Sequence, residues 1–225
     1  MDRISEELLS ALENKDAFTL PLVGGVPVSV VTTWMLIGLA ALFFWLCGRK
    51  FQVVPGKIQS AIELVMEFLQ NFFYGILGEE GKGYIPYLMT TIFYIALSNL
   101  CGLIGLTPPT KDLNVTAGLA LISIVMIEFA GIHKKGFKGW IKSFAEPMPL
   151  VAPINVLELV IRPLSLCMRL FGNVLGAFVV MELIKIVAPV AVPVPLSLYF
   201  DIFDGLIQAY VFVFLTSLFL KEAIE

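Results

Sequence analysis

Long apolar stretches separated by short polar segments dominate the pattern of this chain. The stretches cover residues 28–47, 84–106, 115–132, 151–187 and 196–220. Each approaches or exceeds the roughly 20 residues that a helix needs to cross a bilayer. The pattern predicts an all-α polytopic membrane protein with about five membrane crossings.

Residues 56–77 follow a different pattern, because charged and amide side chains interrupt the apolar ones. Glu63 and Glu67 are four residues apart and therefore share one face of a helix, while residues such as Phe68 and Phe72 cover much of the rest. We expect an amphipathic helix that lies at the membrane interface or is partly embedded in it. A fully spanning helix is the alternative. Ahead of the first span, prolines and glycines at 18–28 predict a short strand-like or irregular segment.

The last two apolar stretches are longer than a direct crossing requires. At 1.5 Å per residue, residues 151–187 would form a helix of about 55 Å and residues 196–220 one of about 37 Å. A proline-rich segment at 188–195 separates them. We therefore expect a long, tilted C-terminal helical hairpin. The whole chain, 1–225, is expected to form a single membrane domain: an outer N-terminal segment (1–27), N-terminal helices (28–143) and the hairpin (150–222).

Polar residues of the first arm recur at spacings of three or four, which places them on one helical face. They are Glu158, Arg162, Ser165, Arg169, Asn173 and Gly176. The return arm carries a second set: Ser197, Asp201, Asp204 and Gln208. Counted from the middle of the proline-rich segment, Glu182 and Asp201 are equally far along their arms, so they should be neighbours with Lys185 in reach. Ionisable residues within a membrane indicate function by default.

Arg169 is the most costly residue of this face. A guanidinium stays protonated at physiological pH, and placing one at the bilayer centre costs about 2.5–3.5 kcal/mol on insertion scales. No acidic residue lies three or four positions away on its helix, so Arg169 should face a water-filled cavity or a partner. The other charges have a purely structural alternative, since Glu158 with Arg162 and Glu182 with Lys185 are spaced to pair.

Composition excludes several classes of function. Hydrophobic residues make up 58% of the chain and charged residues 15%, well below the roughly one quarter of soluble domains. The net charge of −3 gives no nucleic-acid signal. The three cysteines have no metal-ligand spacing, and no GxxxxGK[ST] motif is present, so neither a metal nor a cofactor is expected.

Basic residues mark one side of the membrane. Residues 133–142 predict a basic loop. A second group lies on the same side after an even number of crossings: Arg49, Lys50, Lys57 and Lys82. Lys111 is the only basic residue in the short connections opposite. Because the positive side is inside, the N-terminus is expected outside and the C-terminus in the cytoplasm.

Residues 162–173, with the sequence RPLSLCMRLFGN, and residues 206–212, with the sequence LIQAYVF, together resemble subunit a of rotary F-type ATP synthases. The similarity extends from about residue 30 to the C-terminus. It includes DLNVT from Asp112, NVLE from Asn155 and the proline-rich break before the last helix.

The resemblance implies a membrane stator subunit that is no catalyst by itself. It would carry H⁺ or Na⁺ through two aqueous half-channels to and from the carboxylates of a rotating c-ring, which couples ion flow to ATP synthesis. The implied surroundings are the c-ring, the peripheral-stalk b subunits, other synthase subunits and the lipid bilayer of a bacterial plasma membrane.

The resemblance implies roles for individual residues of this chain that stand at matching positions. Arg169 matches the essential arginine of the family, with Asn173 and Gln208 flanking it. Asp201 falls on the outer-channel position and Glu158 on an acidic position of the inner channel. The remaining residues assigned to the ion path are Glu182, Asp204, Ser165 and Asp112.

One position departs from the family pattern. Many relatives carry an acid nine residues after the arginine, where this chain has Phe178. Glu182, one turn further on, is the candidate replacement. The alternative function is a stand-alone secondary ion transporter or channel. Inverted repeats would favour a transporter, and no internal repeat is visible in the sequence.

Overall fold

The computed structural model describes residues 16–20, 24–49, 51–52, 55–144, 152–187 and 193–225. Two antiparallel strands, β1 (Asp16–Leu20) and β2 (Gly24–Pro27), precede the first helix. The strand-like segment expected before the first span is thereby confirmed. Residues 188–192, in the proline-rich segment between the two long arms, lie outside the described residues.

Six long helices follow the strands in the described part of the chain: α1 (Val28–Gly48), α2 (Lys57–Leu77), α3 (Ile85–Leu100), α4 (Leu113–Ser143), α5 (Ala152–Val187) and α6 (Gly205–Ile224). Short 3-10 turns at Lys82–Tyr84 and Cys101–Ile104 extend α3 at both ends. A helical turn (Pro193–Ser197) and a π-helical segment (Leu198–Asp204) lead into α6. Five of these segments are long and apolar enough to cross a membrane, as predicted.

Helix α2 is not among the five candidate spans. Its Phe73 and Leu77 are buried against the bundle, where α2 packs on α3 and α6. Its other faces are exposed and mix apolar residues such as Leu64 and Phe68 with Glu63 and Glu67. This arrangement favours the interfacial or partly embedded helix over the spanning one.

Helix α4 corrects the prediction of a basic loop at 133–142. The helix continues to Ser143 and is broken only at Gly136, where φ is 71° and ψ is 159°. Glycine adopts such a conformation at no steric cost. Beyond this kink, Trp140 Nε1 donates a hydrogen bond of 2.7 Å to Glu128 Oε2. The basic residues therefore lie on a helical extension that is tied back onto its own helix.

Helix α5 and the return arm, residues 193–224, form the core of the bundle. α5 continues through Pro163 for 36 residues, about 54 Å at the standard rise. It packs on α4, while α6 packs against α3, α4 and α2. The most deeply buried aliphatic side chains come from four of these helices: Leu88, Ile95, Ile127, Leu166, Leu170, Val213 and Leu220. The tilt expected for the hairpin stays a prediction.

Phe73 should anchor α2 to the bundle. We expect Phe73→Ala to cost about 3 kcal/mol of unfolding free energy, because the side chain is almost fully buried. Phe68→Ala on the same helix removes a side chain that is 67% exposed and should change stability by less than about 0.5 kcal/mol. Thermal unfolding of the two variants in detergent micelles measures the difference. Equal losses would contradict the anchoring role.

Candidate functional site

Arg169 lies on a face of α5 that points away from the bundle. On the opposite face Leu166, Cys167 and Leu170 are buried, whereas Met168 and Arg169 are exposed. None of the ion pairs among the described residues involves Arg169. The guanidinium therefore belongs to the exposed outward face of α5 and not to the core.

Small and polar side chains surround Arg169 on this face. Ser165 and Asn173 are exposed on the turns before and after it. Gly172 and Gly176 are exposed as well, and nothing lies within 4 Å of the position that a Cβ would take at either glycine. Gln208, expected beside the arginine, is buried on α6, and the hydrogen bonds of the described residues do not join it to Arg169. The two glycines leave room for another helix to approach this face closely.

A cavity of about 560 Å³ lies where the end of α5 meets the start of the return arm. The end of α3, the connection from Gly105 to Asp112 and the start of α1 complete its wall. We call it the Asp201 cavity, and its ionisable lining residues are Lys111, Asp112, Glu182, Lys185, Asp201 and Asp204. The structure thus brings Glu182, Lys185 and Asp201 together, as the count from the proline-rich segment predicts.

Two of these ionisable residues form an ion pair. Lys185 Nζ lies 2.7 Å from Glu182 Oε1, which is the i, i+3 pair that the spacing predicts. The lysine side chain is 53% exposed and the glutamate 24%. An exposed pair of this kind adds little stability, so Glu182 keeps its carboxylate at the cavity wall without being locked there.

The burial of Lys111 was not predicted from the sequence. The side chain is buried, and its Nζ lies 3.9 Å from the centroid of the Phe178 ring. Burial lowers the pKa of Lys111 below its ordinary value, while the nearby carboxylates of Glu182 and Asp112 oppose that shift. Its position in a polar connection between two spans gave no sign that it is buried.

Asp112 connects α1 and α4 at the wall of this cavity. Its Oδ1 accepts a hydrogen bond of 2.9 Å from the backbone N–H of Asn114, so it caps α4 as predicted. Its Oδ2 accepts from the Ser29 hydroxyl of α1 at 2.5 Å. The carboxylate is therefore buried but satisfied on both oxygens.

A second cavity, of about 320 Å³, lies at the other end of α5. Here Arg162 Nη2 lies 2.8 Å from Glu158 Oε2 and 2.7 Å from Glu222 Oε1. The Glu158–Arg162 pair was predicted from its spacing, and Glu222 adds a partner from α6. We call this the Arg162 cavity. The second half of α4, from Glu128 onward, contributes much of the rest of its wall.

Arg169 lies between the two cavities along α5. It is seven residues from Arg162 and nine from Phe178, about 10 Å and 14 Å at the helical rise. The lining residues of the two cavities do not overlap. A fixed outward cation thus separates two polar cavities that lie toward opposite ends of an antiparallel pair of helical arms.

Five apolar spans, an exposed arginine at mid-helix and charged cavities toward both helix ends define a multi-pass membrane protein built to move ions. The chain belongs to the ATP synthase subunit a family, since the family model described as ATP synthase A chain matches residues 30–221. It is therefore the ion-translocating stator subunit of an ATP synthase complex and is not catalytic by itself.

Individual relatives agree with this assignment. The chain is 35% identical over 205 residues to ATP synthase subunit a of Moorella thermoacetica, an alignment that covers 90% of this chain and 94% of that protein. It is 33% identical to ATP synthase subunit a, sodium ion specific, of Propionigenium modestum, over 88% of this chain and 74% of that one. It is 34% identical to ATP synthase subunit a of Oleidesulfovibrio alaskensis, over 90% of both.

The electrostatics of Lys111 can be tested directly. Because the Glu182 carboxylate favours the charged ammonium, Glu182→Gln should lower the pKa of Lys111 further. Glu128→Gln, in the Arg162 cavity, should leave it unchanged. The measurement is a pH titration of ¹³C-methylated lysine signals by NMR on the detergent-solubilised protein. A higher or unaltered pKa in Glu182→Gln would contradict the geometry.

Proposed function

We propose that the two cavities are the half-paths by which H⁺ or Na⁺ reaches and leaves the carboxylates of a rotating c-ring. The observation that carries this proposal is the exposed Arg169 between the Asp201 cavity and the Arg162 cavity. A fixed cation beside a ring carboxylate favours its ionised form, whereas a lipid environment favours the neutral form. Arg169 therefore promotes release of the bound ion as each ring carboxylate passes.

Within this proposal the residues divide into three groups. The outer half-path uses Asp201, Asp204, Glu182 and Asp112, which line one cavity. The inner half-path uses Glu158, which lines the other. Arg169 separates them, with Ser165 and Asn173 beside it on the exposed face and Gln208 behind it in the bundle.

The separation of the two cavities matters for coupling. Their lining residues do not overlap, and the positive charge of Arg169 opposes a cation that moves directly between them. An ion crosses only when a ring carboxylate carries it past the arginine. Lysine would serve poorly at this position, because a desolvated ammonium loses its proton more readily than a guanidinium.

The Asp201 cavity opens to the outside in this proposal, and the Arg162 cavity to the cytoplasm of a bacterium. Basic side chains on the last turns of α4 lie beside the Arg162 cavity, which agrees with the positive-inside rule. The N-terminus is then outside and the C-terminus cytoplasmic. The c-ring covers the exposed face of α5, and the peripheral-stalk b subunits contact other parts of this single membrane domain.

The coupling ion is H⁺ or Na⁺, since the relative from Propionigenium modestum is named as sodium ion specific. The family match over residues 30–221 supports a synthase subunit over the alternative of a stand-alone transporter or channel.

Arg169→Ala tests the central claim in the assembled complex. We expect ion-driven ATP synthesis in proteoliposomes to fall by about two orders of magnitude or more, and passive ion leak to rise, because nothing then separates the half-paths. Arg49→Ala, which removes an exposed arginine at the end of α1, should synthesise ATP normally. Normal coupled ATP synthesis in Arg169→Ala would contradict the proposal.

Asp201→Ala combined with Glu182→Ala tests the outer half-path. Without these carboxylates ions are captured poorly from the outside, so the rate should fall, and its dependence on outer pH should change. The matched control is Glu63→Ala with Glu67→Ala, which removes two exposed carboxylates from α2. Wild-type rates at every outer pH would count against the assignment.

A further inference from the structure

The return arm enters the bundle through a π-helical segment rather than an α-helix. It covers Leu198–Asp204 and carries Asp201 and Asp204. π-helical turns are rare and occur frequently at functional sites. The segment packs against the end of α3 and its 3-10 turn, Cys101–Ile104.

Asp201 places its carboxylate directly against Gly102 of that 3-10 turn. A Cβ at residue 102 would stand 2.7 Å from Asp201 Cγ and 3.0 Å from Oδ2, which is closer than such atoms approach without repulsion. The backbone of Gly102 has no positive φ. A side chain here would therefore compete with the Asp201 carboxylate for space, while the backbone itself would accept one.

A buried hydrogen-bond network prevents the two segments from simply moving apart. Asn99 Nδ2 donates to the carbonyl oxygen of Gly205 at 2.9 Å, and the Thr110 hydroxyl donates to Asn99 Oδ1 at 2.8 Å. A Cβ at residue 205 would lie only 2.9 Å from Asn99 Cβ. The residue that follows the π-helical segment is thus held against α3, so a Cβ at residue 102 would have to be accommodated by rotation of the Asp201 side chain away from its observed position.

We propose that Gly102 is a positioning residue of the ion path, whose missing side chain reserves the volume in which Asp201 holds its carboxylate in the cavity. This inference rests on the proposed role of Asp201 in the outer half-path. The volume is bounded by α3 on one side and by the return arm on the other. A carboxylate introduced from residue 102 can therefore occupy it when residue 201 no longer does.

The test uses the assembled complex in proteoliposomes, with ion-driven ATP synthesis measured across a range of outer pH. Gly102→Ala should slow synthesis by about ten- to a hundredfold, because the Cβ displaces the carboxylate by an ångström or more. Gly118→Ala is the matched control: this glycine of α4 has nothing within 4 Å of an added Cβ, and the variant should keep the wild-type rate.

Moving the acidic side chain from residue 201 to residue 102 by mutation distinguishes a positioning role of Gly102 from a merely structural one. Asp201→Ala should be slow, and Gly102→Asp alone should be slow because two side chains compete for one volume. The double variant Gly102→Asp with Asp201→Ala should recover about tenfold over Asp201→Ala, a non-additivity that only a shared site produces. The outer-pH dependence lost in Asp201→Ala should return with it.

Each outcome decides the matter. A wild-type rate in Gly102→Ala, or no recovery in the double variant, overturns the inference. If Gly102→Ala is not incorporated into the complex, the double variant decides alone, since Asp201→Ala vacates the volume first. If Asp201→Ala itself works normally, the outer half-path and this inference both fail. If Asp201→Ala is slow and the Gly102 variants match Gly118→Ala, only the inference fails.

Discussion

Arg169 places its positive charge on the outward face of α5, and none of the ion pairs among the described residues involves it. α5 achieves this by having two unlike faces. One buries Leu166 and Leu170 in the core, and the other exposes Arg169 among serine, asparagine and glycine. Helices α4 and α6 pack on the buried side, and the opposite side of α5 is exposed.

Several other charged side chains among the described residues have partners within the bundle, which sets them apart from Arg169. Arg162 binds two glutamates, Lys185 binds Glu182, and Lys111 lies over an aromatic ring near two carboxylates. Leaving a charge without its partner in a low-dielectric region costs far more than leaving out the pair. These compensated groups can line polar cavities at both ends of α5 while the core between them stays apolar.

Features that depend on a single helix could be predicted correctly from the sequence. The number of spans, the separate character of α2, the cap at Asp112 and the pairs within α5 all follow from local periodicity, which neighbouring helices do not change. The prediction of a basic loop was wrong, because a charged surface segment can be either loop or helix. The basic residues at 133–142 continue α4, because Gly136 allows a kink and Trp140 bonds back to Glu128.

From the chain alone we could predict the membrane class, the polar helical face that carries Arg169 and the neighbourhood of Glu182 with Asp201, because apolar length, helical spacing and the position of the proline-rich break are all local features. The folded bundle was needed to show that Lys111 is buried over Phe178, that Glu222 pairs with Arg162, and that Asp201 lies against Gly102. These contacts join residues far apart in the chain, so they depend on how the helices pack and on a π-helical segment that local sequence pattern does not reveal.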